Sequence, residues 1–114
     1  MNQRSRQIAI TFKDAGQVVE AYMPFLRDGG FFIPTEREFS LGDELFIVLT
    51  LPDNPKQRSP APAKVVWINP PKASGGRKQG IGVAFTGVQA PTINDRFQKI
   101  IDQSGRRSMM TDTM

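Results

Sequence analysis

The side chains of this sequence that could do chemistry are scattered cations and one glycine turn, "FLRDGGFFIP", Phe25 to Pro34. Arg27 and Asp28 stand before Gly29 and Gly30, and an apolar run follows, the pattern of a tight turn feeding a strand. Glycine permits close backbone approach and a guanidinium binds oxyanions through paired donors, so the turn has parts that could hold an anion. More arginines, Arg4 and Arg6, lie near the amino end. Lysine plus arginine number 15 against 11 acidic residues, a net charge of +4 that suits an anionic partner. The cations sit in loops and termini, however (Lys56 and Arg58, then Lys72, Arg77 and Lys78, then Arg106 and Arg107), so they read first as solvated surface.

Catalysis has little to work with. The chain has neither histidine nor cysteine, which removes the commonest general base, the commonest metal ligand and the thiolate. Carboxylates such as Asp43 and Glu44 fall at a turn and a strand edge, and no nucleophile–base pair or P-loop is visible. A non-enzymatic protein without metal or cofactor is expected. A length of 114 residues fits one domain. The apolar run Leu45 to Pro52 is far short of the roughly 20 residues a spanning helix needs, and "MNQRSRQ" lacks a signal peptide's apolar stretch, so the expected address is the cytoplasm.

The elements that would position these groups are mainly strands. Ile8, Ile10 and Phe12 alternate on one face of "IAITF", and "DAG" at Asp14 to Gly16 reads as a turn. "QVVEAYMPF", Gln17 to Phe25, reads as a second strand, with Tyr22 sharing a face with Glu20. "FFIP" is a short strand ended by Pro34, and "LGDELFIVLTLP" turns at Gly42 and Asp43 into a strand apolar on both faces. "DNPKQRSPAPA" is a loop or the irregular start of a long edge strand, leading into "KVVWINP". In "GIGVAF" the residues Gly82 and Ala84 leave one face bare enough for a close neighbour. Thr92 as N-cap, with Asp95 three residues on, starts one helix that carries Ile93, Phe97, Ile100 and Ile101 on a single face. The expected division is 1–7 as a flexible N-terminus, 8–104 as a β-barrel with its helix, and 105–114 as a flexible tail.

The order "LRDGGFFI", "GDELFIVLTLP", "AKVVWI" and "GIGVAF" resembles the PilZ domain family over roughly Ile8 to Asp102. The resemblance is closest to its short single-domain members in type IV pilus biogenesis and implies a six-stranded antiparallel β-barrel with one C-terminal α-helix. Many PilZ domains are receptors for cyclic di-GMP, using an R-x-x-x-R element and a [D/N]-x-S-x-x-G turn. With the turn aligned on Gly30, Phe25 stands where the Asp or Asn belongs and Arg27 where the Ser belongs. Arg4-Ser5-Arg6 does not have the R-x-x-x-R spacing either. The chain therefore resembles a non-canonical member that does not itself bind cyclic di-GMP. The alternative is a receptor with an altered arginine site made from Arg4, Arg6 and Arg27.

A vacant nucleotide site moves the search to protein-binding side chains. Tyr22, Met23 and Phe25 are candidates for an exposed patch, against a reading that buries them in the core. Trp67 is a core residue or an interface anchor. Met109, Met110 and Met114 are adaptable apolar side chains suited to ordering against a partner, against an inert tail. The resemblance implies two partners, the pilus-extension ATPase and a scaffold protein with a degenerate GGDEF-EAL module that binds the nucleotide. It implies a monomeric adaptor, recruited through these partners to the cell pole or the inner-membrane pilus machinery without inserting in the membrane. A rival reading, a basic barrel that binds single-stranded nucleic acid, lacks aromatics alternating with cations along a strand.

Overall fold

The computed structural model describes residues 6–70 and 79–104. Five strands and two helices follow in the order β1 (Arg6–Thr11), α1 (Ala15–Ala21), β2 (Gly30–Pro34), β3 (Glu44–Thr50), β4 (Arg58–Asn69), β5 (Gly80–Phe85) and α2 (Ala90–Gln103). The strands form one sheet, ordered β1-β3-β4-β5-β2, that curls into a half-barrel. β1 pairs with β3 in parallel, and every other pairing is antiparallel.

The expected six-stranded antiparallel barrel is thus corrected on three counts: five strands, one parallel pair and a second helix. The missing strand is Gln17 to Phe25, most of whose first half is α1. Asp14 is its N-cap, accepting a hydrogen bond from the Gln17 N–H at 3.0 Å, and Gln17 Oε1 accepts one from the Lys13 N–H at 2.8 Å. Those reciprocal bonds satisfy amides at the helix start. Ala15, Val18, Val19 and Tyr22 then recur at helical spacing, and Val18 is fully buried.

β3 also differs from its expected two-sided burial. Leu45, Ile47 and Leu49 face the core, whereas Glu44 and Phe46 are exposed. β4 begins at Arg58, inside the proline-containing segment. Pro62 does not break it, because its carbonyl accepts from the Thr86 N–H at 2.9 Å on the side away from β3. The N–H that proline lacks would have pointed the same way, so the ladder to β3 loses nothing.

Four phenylalanines, Phe12, Phe31, Phe85 and Phe97, fill the centre with ring centroids 5.3 to 5.8 Å apart. Each such side chain stabilises the fold by about 1.5–3 kcal/mol through burial alone. α2 contributes Ile93, Phe97 and Ile100, the stripe read from the sequence. Its start differs from expectation: Gln89 is the N-cap and Pro91 sits in the first turn, where no N–H is required of it. Asp95 pairs with Lys99 at 3.2 Å and caps nothing. A clamp fixes the helix to the sheet. Arg96 Nη2 and Nε donate to Asp53 at 2.7 and 3.1 Å, while Nη1 donates to Ser59 Oγ at 2.7 Å. Ser59 is the buried polar residue among those described, and the guanidinium satisfies its hydroxyl. No helix of the described residues is long and apolar enough to cross a membrane.

Candidate protein-binding surface

The glycine turn packs against the protein's own α2 and β5. After α1 the chain runs extended, and Tyr22 bridges Phe31 while the Met23 N–H donates to the Gly30 carbonyl at 3.0 Å. The turn closes through Leu26 N–H to Met23 O at 3.3 Å and Gly29 N–H to Leu26 O at 3.1 Å. Gly29 has φ +82°, a conformation that other residues rarely adopt. A β-carbon there would also collide with the side-chain oxygen of Asn94, and one at Gly30 would collide with the Val83 carbonyl. Asn94 of α2 and the Val83 carbonyl of β5 thus occupy the space beside the two glycines.

Asn94 is in that space for a reason. Its Oδ1 accepts a 2.7 Å hydrogen bond from the Tyr22 hydroxyl, whose oxygen accepts from Gln98 Nε2 at 3.2 Å. The Tyr22 ring stacks on Phe97 at 5.9 Å. Tyr22 is therefore half-buried and tethered, and it does not share a strand face with Glu20. Its exposed side, with Val19, Pro24, Gln98 and Ile101, lines a groove of about 460 Å³ between the two helices.

Trp67 comes to the surface by a change of register. Ser59, Ala61, Ala63 and Val65 of β4 point inward, and unbroken alternation would send Trp67 inward as well. A bulge between Val65 and Trp67 sets Trp67 opposite Gly82, on the outer face, with 47% of its surface exposed. The core reading of Trp67 is corrected for that reason. The bare face of β5 does admit close neighbours. A β-carbon at Gly82 would meet Met23 Sδ at 2.9 Å and Trp67 Cβ at 3.0 Å, and one at Gly80 would meet Phe32 Cζ at 2.6 Å. Met23 and Phe32 lie over the glycines, and with Trp67 they make an apolar platform across β2, β5 and β4. Phe25 projects from the adjoining turn, 73% exposed, so its core reading is corrected too.

Arg6 stacks on Phe39 at 4.8 Å, Arg37 on the same ring at 5.4 Å, and Arg6 Nη1 donates to the Glu38 carbonyl at 2.8 Å. Arg27 is exposed in the turn. Arg4, Met109, Met110 and Met114 lie outside the described residues. Sequence reasoning missed Asn94, Gln98, Phe32, Arg37 and Phe39. Only the G-x-G spacing of Gly80 and Gly82 hinted at any of them, by leaving room for Phe32.

The curled sheet thus carries Trp67 on its outer face and is covered on its inner side by α2. The PilZ domain pattern matches residues 3–103, and the chain belongs to the PilZ domain family. PilZ domains are binding domains rather than enzymes and belong to cyclic di-GMP signalling as receptors or adaptors. Comparison with curated proteins finds no match.

Proposed function

We propose that this chain is a protein-binding PilZ adaptor that does not itself take cyclic di-GMP. The observation that carries the reading is the turn itself, whose two glycines pack against the Asn94 side chain and the Val83 carbonyl and whose motif positions hold no short polar side chain. Phe25 and Arg27 stand at those positions instead. Exposed Trp67 with half-buried Met23 and Phe32 on the outer face, and exposed Phe25 in the adjoining turn, supply an aromatic and thioether surface of the kind that anchors protein partners, while Tyr22 lines the separate groove between the helices.

The resemblance to the pilus-biogenesis members suggests the partners: the pilus-extension ATPase and an EAL-domain scaffold that binds the nucleotide. On this reading the adaptor acts in the cytoplasm, and at the pole or inner-membrane pilus machinery when bound, linking nucleotide status to twitching motility. The methionines of the segment from Arg106 onward are a second contact. Co-purification with each partner tests this, with wild type, Trp67→Ala and a chain ending before Arg106. Retention of both partners by wild type and loss of at least one by a variant supports the adaptor; full retention by both variants contradicts the assigned surface.

A second reading has one observation in its favour, the two guanidinium groups of Arg6 and Arg37 gathered on Phe39. On this reading the receptor site would use Arg4, Arg6 and Arg27. It predicts nucleotide binding that disappears when Arg4 and Arg6 are both changed to alanine.

A further inference from the structure

The half-barrel is open between the two ends of its sheet. β1 and β2 are the terminal strands, and among the described residues no strand joins them. The Phe12 N–H donates to the Thr50 carbonyl at 2.9 Å, and backbone groups in a parallel ladder turn alternately toward and away from the partner strand. Ile8 and Ile10 therefore bond to β3, whereas the N–H and C=O groups of Ala9 and Thr11 face the opening. β2 offers less, since Tyr22 bridges Phe31 and Pro34 has no N–H. A cleft of about 430 Å³ lies in the gap, lined by Ile10, Thr11 and Phe12 on one side, Glu20 of α1, and Phe32 and Ile33 of β2. The inner face is thinly covered there. Leu45, Ile47 and Leu49 of β3 are buried, but Ile8 and Ile10, in register with Ile47 and Leu49, stay half-buried.

We propose that this cleft takes one extended, basic segment of a partner protein, laid along β1 as an added strand; the proposal rests on the adaptor reading above and gives it a second docking site. The occupant follows from the walls and the charge of the cleft. α1 stands on one side and β2 on the other, so a bare strand enters, while β1 of a second copy, flanked by its own α1 and β2, does not. The main chain of the segment pairs with Ala9 and Thr11, and its alternate side chains turn inward onto Ile8 and Ile10, as in strand addition generally. Glu20 is the one charged side chain in the lining, on a chain whose net charge is +4, and it pairs with no cation among the described residues. A segment with lysine or arginine at the level of Glu20 is therefore selected over an acidic one.

Phe32 lines the cleft and also lies over Gly80 beside the Trp67 platform, so the two surfaces are continuous across the β2 edge. A partner anchored on Trp67 reaches the cleft without a long linker.

Fluorescence anisotropy of the full chain tests this with a labelled peptide of alternating valine and threonine that carries one lysine in place of a central threonine. Wild type is expected to bind it about threefold or more tighter than the same peptide with glutamate there, and Glu20→Lys is expected to reverse the order. N-methylation of the peptide at alternate residues blocks the ladder without touching the protein, and affinity is expected to fall about tenfold or more. Thr11→Pro removes an N–H that β3 does not use and is expected to weaken binding with the melting point kept. No binding by wild type, equal binding of the N-methylated peptide, or a charge preference that Glu20→Lys leaves unaltered overturns the inference. Loss of binding in Trp67→Ala, with Glu20→Lys like wild type, overturns it while keeping the adaptor reading, because the peptide then sits on the outer face. Wild-type self-association that the peptide reverses gives the cleft to a second copy and overturns it too. Peptide binding that follows Glu20 while neither pilus partner co-purifies keeps the cleft and removes the adaptor reading.

Discussion

The Tyr22 hydroxyl donates to the Asn94 side-chain oxygen at 2.7 Å across 72 positions of sequence, and that oxygen fills the space over Gly29. One contact thus joins the end of α1, the glycine turn and α2. It explains why a glycine is required in the turn without any ligand.

Tyr22→Phe removes the hydroxyl but keeps the ring on Phe97. The expected loss is about 1 kcal/mol of unfolding free energy, because two polar neighbours lose a partner at a half-buried site. Tyr22→Ala also loses the stacking and costs more, so a partner-binding defect in that variant has to be read beside its denaturation curve. Equal stability of wild type and Tyr22→Phe would remove the tether from the account.

Gly29→Ala meets two obstacles, the positive φ and the Asn94 side chain. The backbone part alone is expected to cost about 1–3 kcal/mol. In urea titrations the double variant with Asn94→Ala is expected to be more stable than the two single losses added together, since the collision is gone and only the φ cost remains. Strict additivity would show that Asn94 does not occupy the space over the turn.

Trp67→Ala separates surface from core. A tryptophan in the core would cost about 3–5 kcal/mol on truncation, whereas an exposed one on the outer face is expected to cost about 1 kcal/mol or less. Partner affinity is expected to fall about 30-fold, the effect of losing an interface anchor worth ~2 kcal/mol. Thermal melting and a binding titration on the same preparation check both halves.

Arg96→Lys keeps the charge and loses the fork that holds Asp53 and Ser59 together. A loss of about 1–2 kcal/mol is expected for lysine and somewhat more for alanine, which leaves the buried Ser59 hydroxyl without its donor. Insensitivity of the wild-type melting point to both substitutions would show that α2 is held by its apolar stripe alone.

The legible parts of this molecule were those where one periodicity ruled. Ile8 and Ile10, the G-x-G strand, and Ile93 with Phe97 and Ile100 kept their expected faces. α1 was missed because a seven-residue helix rich in valine satisfies a period of two as easily as one of 3.6, and the Asp14-x-x-Gln17 cap was the overlooked signal. Trp67 could not be placed because a single bulge residue reverses a strand's faces and leaves no mark in composition. Asn94 and Gln98 are polar side chains on an amphipathic helix, and nothing local distinguishes them from solvated ones. Their role depends on Tyr22 arriving from the other end of the chain.

The most direct test of the central claim is isothermal titration of the full chain with cyclic di-GMP. The account predicts no binding heat, because the glycine turn packs against Asn94 and carries Phe25 and Arg27 in place of the receptor's polar side chains. Binding at micromolar concentration or tighter, abolished when Arg4 and Arg6 are both changed to alanine, would contradict it and make this protein the sensor.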